Sequence, residues 1–540
     1  MTTVHEILSD LASSATDPRD KGDKFERLMR KYFEVTPKYR DLFDSVWLWN
    51  DWPERGGRTD GGIDLVARER ESGEYYAIQC KFYDQNHTLD KSDIDSFFNE
   101  SGKKPFSQRM IVSTTEKWST KAEQSLEGQQ IPVQRIGVAD LEDSGIDWDQ
   151  FRVERPDELI LAPKKQLRPH QREALDDVVK GLEVADRGKL IMACGTGKTF
   201  TALRIAEEIA GVGKTIVFLA PSISLVSQSL TEWTKEAKVP LRCFAVCSDT
   251  KVGKKRNDED MGVHDLAYPS TTDPLRLANA INSQNGDGVM TVIFSTYQSI
   301  AVLHEAQKDS GVGNSGIGSF DLIICDEAHR TTGVTLKDED ASQFVRVHDE
   351  NYIHASKRLY MTATPRLYTD SAKTKAQEND VVLCSMDDEN LYGKELHRLG
   401  FGEAVERDLL SDYKVMVLAV DENAVSKAFQ YQLADSSNEL SLEDAVKIIG
   451  CWNGLAKREP VSVIGGAGFG NDYEPMKRAV AFSRSINDSK RITKLFSEIP
   501  NYYVGDSEKT SEILRCDAEH VDGTFNVLVL PRISALYMID

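Results

Sequence analysis

The run Gly195-Thr196-Gly197-Lys198-Thr199 carries the clearest chemistry in the chain. An apolar stretch, Lys189 to Met192, precedes it, and Phe200 to Ala210 follow with apolar side chains at helical spacing. Strand, glycine loop and helix in that order predict a phosphate cradle. The glycines let backbone N–H groups turn inward, and the helix N-terminus adds its partial positive charge. Lys198 is expected to reach the β- and γ-phosphates of a nucleotide, and the Thr199 hydroxyl to hold Mg²⁺. Met192 departs from the general pattern, which has glycine there. A second run, Phe320 to His329, is an apolar strand ending in two acids. Asp326 is suited to hold Mg²⁺ through water, and Glu327 to orient and deprotonate the water that attacks the γ-phosphate. His329 is expected to link this strand to the next, Arg358 to Pro365.

A third group lies near the N-terminus. Gly61-Gly62 turns into a short strand carrying Asp64, and Tyr75 to Lys81 alternates as a second strand. Period two puts Ala77, Gln79 and Lys81 on one face and Tyr76, Ile78 and Cys80 on the other. Asp64 and the Gln79 carbonyl oxygen are hard ligands suited to Mg²⁺. Lys81 would orient the attacking water and stabilise charge on a phosphate under attack.

The elements that must position these groups fall into an α/β order. Residues 1–155 read as a small α/β domain: a helix with Phe25, Leu28, Met29 and Phe33 on one face, a helix at Ile94 to Phe98, a strand at Arg109 to Thr114, a helix at Ser119 to Leu126 and a strand at Val133 to Val138. Residues 156–168 are polar with Pro163 and read as a linker; residues 169–370 hold the phosphate loop and the acid-bearing strand; residues 371–540 form a further segment. Two more strands, Thr215 to Ser222 and Thr291 to Ser299, end in hydroxyl and amide side chains. Such residues, Thr296 among them, suit phosphate contacts that position a nucleic acid without reading its sequence. Ser248 to Asp287 is polar and reads as a mobile insertion.

Composition sets bounds. At 540 residues the chain is too long for one core. A formal charge of −21 argues against non-specific coating of nucleic acid, while leaving room for a locally basic groove such as Lys164 to Arg172. No stretch has the length of a membrane span, and Met1 to Asp20 lacks the order of a signal peptide. The eight cysteines are scattered, with no zinc-site spacing, which fits reduced thiols in a cytoplasm.

On these motifs the chain resembles two families. Glu26 on the first helix, Asp64 after Gly61-Gly62, and Gln79-Cys80-Lys81 resemble the Mrr-like restriction endonucleases, a branch of the PD-(D/E)xK nuclease fold. That resemblance implies catalytic roles for Glu26, Asp64, Gln79 and Lys81, with Glu26 or Asp60 supplying the charge that Gln79 lacks. Leu391-Tyr392-Gly393, Phe401 to Leu410 and Tyr413 to Leu418 resemble the motor subunits of type I and type III restriction enzymes, and the phosphate loop, Asp326-Glu327-Ala328-His329 and Thr362-Ala363-Thr364 resemble motifs I, II and III of the superfamily 2 helicases. It implies that Gln171 reads adenine, that Ser222, Ser224 and Gln228 contact the DNA backbone, and that Thr362 and Thr364 couple nucleotide state to DNA binding. The implied fold is a restriction-endonuclease-like domain, then a RecA-like parallel-sheet helicase domain, then an incomplete second RecA-like domain over 371–540. The implied cofactors are ATP and Mg²⁺, and the implied partner is double-stranded DNA.

Arg478 to Ser485 resembles motif IV, and His520 to Thr524 the segment that precedes motif V. Motif V and the arginine-bearing motif VI are not found before Asp540. Since an arginine finger is worth about 10³–10⁵ in turnover, the expectation is either a truncated frame that binds without turning over, or a second protomer or partner subunit that completes the motor. A DNA-dependent ATPase whose N-terminal domain only binds DNA is the other alternative.

Overall fold

Why residues 18–35 form a helix is visible in their first turn. The Asp17 carboxylate accepts the backbone N–H groups of Arg19 and Asp20, and Pro18 occupies a position whose N–H would have no helical partner. The computed structural model describes residues 3–58, 61–248, 263–283, 288–308, 316–336, 343–369, 381–412, 519–521 and 527–529. Asp60, the motif IV run and most of 371–540 lie outside them. The chain divides into one unit of residues 1–250 with 262–411, and a second of 251–261 with 412–540.

In the first unit a five-stranded mixed sheet is built from β1 (Phe43–Leu48), β2 (Leu65–Glu69), β3 (Tyr75–Lys81), β4 (Phe106–Ser113) and β5 (Val133–Ile136), in that order across the sheet. β1, β2 and β3 pair antiparallel, and β3, β4 and β5 parallel. The alternation in β3 decides what each face meets. Tyr76 and Ile78 share an apolar cluster with Phe25, Leu28, Met29 and Phe33 of the helix Pro18–Val35. Ala77 faces Ile94 and Phe97 of the helix Lys91–Ser101 and Leu126 of the helix Thr120–Leu126. The expected strand at 133–138 ends at Ile136, and a short helix, Val138–Glu142, follows.

The second sheet uses β6 (Arg187–Met192), β7 (Thr215–Ala220), β8 (Leu241–Val246), β9 (Met290–Thr296), β10 (Leu322–Cys325), β12 (Arg358–Thr362) and β14 (Lys394–Leu399), with β11 (Gly333–Leu336) and β13 (Val381–Cys384) forming a separate antiparallel pair. The order is β14-β6-β12-β10-β7-β9-β8, and every pairing is parallel. Strands covered on both faces read as near-continuous apolar runs. Phe218 and Phe294 pack with Trp233 on one face, at ring-centroid distances of 5.3 and 5.6 Å. Ile293, Ile323 and Tyr360 pack with Leu277, Ile300 and Leu303 on the other. In the second unit, β15 (Glu519–Val521) and β16 (Val527–Val529) form an antiparallel ladder.

Two expectations change. β14 lies past residue 370, where the second RecA-like domain was placed, yet it forms the edge of this sheet beside β6. Its fit has a simple cause: Gly181 and Gly188 leave the space that the Leu396 side chain fills. The 248–287 stretch is also not uniformly polar surface. Its described residues include the helix Pro274–Asn282, and Leu266, Ala267, Tyr268, Leu277 and Ile281 are buried.

Gly188→Val should place a side chain where Leu396 sits and release β14. Hydrogen exchange of the Lys394–Leu399 amides is expected to accelerate at least tenfold while β7, β9 and β10 stay protected. Unchanged protection of β14 would contradict this account of the edge.

Candidate functional site

The phosphate loop spans Ala193 to Gly197 between β6 and the helix Lys198–Ile209. Gly195 and Gly197 have φ of 82° and 86°, a region that side chains rarely adopt. Gly197 is doubly constrained, because a Cβ there would run into the Gln171 amide. That amide is anchored at both ends: Nε2 donates to Thr196 O at 3.2 Å, and Oε1 accepts Arg168 N at 2.9 Å. His170 Nε2 lies 3.0 Å from the same Thr196 carbonyl. The structure therefore sets Gln171 against the loop, and an adenine contact would require one of these bonds to exchange. The Thr196 hydroxyl donates to Ala193 O (2.7 Å), and the Thr199 carbonyl accepts Trp233 Nε1 (3.0 Å). Lys198 Nζ donates to Met192 O at 3.2 Å.

Asp326 and Glu327 stand at the end of β10, which β12 separates from the loop's strand β6, and the Lys198 charge is still felt at Asp326. Asp326 is held by its backbone: its N–H donates to Leu219 O, and its carbonyl accepts the Tyr297 hydroxyl, each at 2.8 Å. Its carboxylate accepts Glu327 N at 3.0 Å. Burial and the neighbouring Glu327 charge raise its pKa to about 6, against the pull of the Lys198 ammonium. Glu327 sits in the left-handed region at φ 46°, a strain of about 1–3 kcal/mol for a residue with a side chain. His329 Nδ1 lies 3.0 Å from Thr362 Oγ1 and 3.3 Å from Glu327 Oε2. Burial lowers the His329 pKa, so the ring is neutral near pH 7. Thr362 Oγ1 in turn accepts Thr364 N at 3.2 Å. Glu327, His329, Thr362 and Thr364 thus form one connected path between β10 and β12.

The expected DNA contacts separate. Ser222 and Gln228 are exposed at the head of the helix Ile223–Glu236, where the Ser222 hydroxyl also caps the helix by accepting Leu225 N at 3.3 Å; Ser224 is half-buried. Thr296 differs: it is 4 % exposed, and its hydroxyl donates to Ser299 Oγ at 3.1 Å. Its side chain is absorbed into the strand end because β9 lies inside the sheet. Tyr297, one residue on, bonds the Asp326 carbonyl instead, a role that the sequence reading of this strand end, as phosphate contacts, missed.

In the first sheet, the Asp64 carboxylate accepts Cys80 N at 2.6 Å, which aims it at the start of the Gln79-Cys80-Lys81 strand end. Gln79 Nε2 donates to Gly62 O at 3.0 Å. With the amide nitrogen so fixed, Gln79 Oε1 is turned inward and has no hydrogen-bond donor, an expensive arrangement for a buried carbonyl unless something else coordinates it. Burial raises the Cys80 thiol pKa, with Asp64 and Glu26 acting the same way and Lys81 against them, so all three charges lie within electrostatic reach of one side chain. A hard cation fits this donor set of one carboxylate and one carbonyl. Among the described residues, no three His, Cys, Asp or Glu side chains converge as a metal site, so the amide oxygen is a needed part of any such set.

Comparison with known proteins decides what these two sites belong to. Residues 34–158 match a restriction-endonuclease family, and residues 164–367 match the res subunit of type III restriction enzymes. The chain joins a restriction-endonuclease domain to a restriction-enzyme helicase domain. It superimposes on the ATP-dependent Type ISP restriction-modification enzyme LlaBIII bound to DNA with a TM-score of 0.74 and 38% identity, over 94% of this chain and 32% of that one. It is 26% identical over 260 residues to the protein described as "Probable helicase A859L" of African swine fever virus (isolate Tick/Malawi/Lil 20-1/1983), covering 48% of this chain and 25% of that protein. The chain therefore spans about a third and about a quarter of these relatives. Among the described residues, no helix is long and apolar enough to cross a membrane.

The Asp326 pKa gives a pH signature. A carboxyl whose folded pKa lies above its unfolded one favours folding while protonated and loses that favour as pH rises from about 4 through about 6. Asp326→Asn should match the wild type in thermal stability near pH 4 and exceed it above pH 6, by up to about 3 kcal/mol. Melting curves of the nucleotide-free proteins across that range check this. A difference that shrinks with rising pH would contradict it.

Proposed function

We propose that this chain is the nuclease and motor portion of an ATP-driven DNA translocase or helicase of restriction type, coupled to a Mg²⁺-dependent endonuclease and acting on duplex DNA in the cytoplasm. The observation that supports the reading is the electrostatic coupling of Asp326, at the end of β10, to Glu327 and to Lys198 of the phosphate loop, in a chain whose other sheet ties the Asp64 carboxylate to the Gln79-Cys80-Lys81 strand end.

In the motor, the loop N–H groups from Gly195 to Thr199 and the Lys198 ammonium bind the phosphates. Thr199 and Asp326 would hold Mg²⁺, which neutralises charge on the β- and γ-phosphates when bound. Glu327 accepts the proton of the attacking water. The neutral His329 ring, bridging Glu327 and Thr362, holds that carboxylate in place and ties it to the strand bearing Thr364. Gln171 senses the loop through Thr196, and adenine recognition follows if its amide exchanges partners. Ser222, Ser224 and Gln228 meet the DNA backbone. In the nuclease, Asp64 and Gln79 Oε1 would hold Mg²⁺, Lys81 orients the attacking water, and Glu26 adds negative charge nearby.

Two measurements separate the halves. ATP hydrolysis should be stimulated by duplex DNA and lost in Lys198→Ala. Turnover equal to the mutant's would mean that the motor needs a partner protomer. Mg²⁺-dependent nicking of circular duplex should vanish in Asp64→Ala while ATP hydrolysis stays within about twofold. Equal nicking by both proteins would remove the nuclease assignment.

A further inference from the structure

Residues Val263–Tyr268 belong to neither site, yet both domains fasten to them. On the nuclease side, the Tyr39 hydroxyl donates to Ala267 O at 2.7 Å, and Arg135 pairs with Asp265 at 2.5 Å. Lys38 Nζ reaches Leu266 O at 3.5 Å, the outer limit of a hydrogen bond. On the motor side, the Tyr268 hydroxyl donates to Cys243 O in β8 at 3.0 Å. Ser227, on the helix that carries Ser224 and Gln228, places its hydroxyl 3.4 Å from Leu266 O. One carbonyl thus faces donors from both domains. Leu266, Ala267 and Tyr268 are buried, and Ala267 is held at φ 52°, in the left-handed region.

The nuclease end of this contact is built into the nuclease core. Tyr39 is fully buried and packs against Phe33 and Phe43, at ring distances of 4.9 and 6.2 Å, so its hydroxyl has little freedom. Lys38 is buried beside it, and burial lowers its pKa against the pull of Asp140 and Asp143. Two further ion pairs flank the segment: Arg242 of β8 with Glu71 at 2.6 Å, and Arg276 with Glu74 at 2.7 Å. Glu71 and Glu74 lie in the turn that joins β2 to β3, the strand of Gln79 and Lys81.

We propose that Val263–Tyr268 is the docking surface through which the DNA-facing helix Ile223–Glu236 sets the position of the nuclease, with Tyr39, Lys38 and Arg135 as positioning residues. Rigid packing transmits small shifts to whatever is bonded to the moving element. A shift of the helix when DNA is bound moves Leu266 and Ala267, and with them the Tyr39 and Arg135 attachments. The proposal rests on the DNA-motor reading for its trigger, but the contacts themselves do not depend on it.

Hydrogen exchange on the full chain, with and without a short blunt DNA duplex, tests it. Duplex is expected to slow exchange in residues 223–236, in 263–268 and in 36–40. In Tyr39→Phe/Arg135→Gln the effect should persist in the first two segments and fall at least tenfold in 36–40. Slowing confined to 223–236 in the wild type, or a full effect at 36–40 in the double variant, would overturn the proposal. If duplex leaves 223–236 itself unchanged, the DNA-contact reading fails, and Ser227→Leu in the free chain decides the docking surface. Exchange should then rise at least tenfold in both 263–268 and 36–40. A rise in 263–268 alone overturns it. Should Ser227→Leu lower the melting temperature of the whole chain, Tyr39→Phe, which loses only a hydroxyl, carries the same comparison.

Discussion

A carboxylate that must be charged to work is buried at the end of an inner strand. That constraint organises the motor domain. Asp326 sits among apolar strands, with Glu327 beside it and the Lys198 ammonium near enough to lower its pKa. The protein holds it by main-chain bonds to Leu219 and Tyr297 and by its own bond to Glu327 N, none of which neutralises its charge. A buried acid with raised pKa is an unfavourable group in the free protein and a favourable one beside a cation. The left-handed backbone at Glu327 and the His329 bridge to Thr362 make sense as parts that hold this unfavourable arrangement in register.

The site proposed for the nuclease shows the same logic with a weaker charge. Gln79 is an amide, so its oxygen brings no charge to a cation, yet its nitrogen is tied to Gly62 and its oxygen is buried without a donor. An amide pinned in this way presents only its carbonyl. The Asp64 bond to Cys80 N brings the one carboxylate to the same strand end. The neighbouring charges of Glu26 and Lys81 are felt at Cys80, which places them around that end without making them ligands.

Much of this was legible in the sequence because it depends on local order. Strand, glycine loop and helix specify the phosphate loop, and the period of β3 specifies which side chains meet the Pro18–Val35 helix. What stayed hidden depends on distant partners. β14 was assigned to the next domain because nothing in Lys394–Leu399 announces that Gly181 and Gly188 leave room for Leu396. Thr296 looked like a surface hydroxyl because a strand end does not reveal whether its neighbours cover it. Residues 263–268 read as part of a polar insertion, since their few apolar side chains are spaced irregularly, and only the fold brings Tyr39 and Arg135 to them.

The motor function requires that the buried acid and the loop lysine form one Mg²⁺–nucleotide site. Equilibrium binding of ATP to the chain, with and without Mg²⁺, measured beside Lys198→Ala and Asp326→Asn, tests that most directly. The expected result is binding weakened at least tenfold in Lys198→Ala under both conditions, and in Asp326→Asn a loss of the enhancement by Mg²⁺ with metal-free binding retained. Mg²⁺ enhancement of equal size in Asp326→Asn and the wild type would contradict the account.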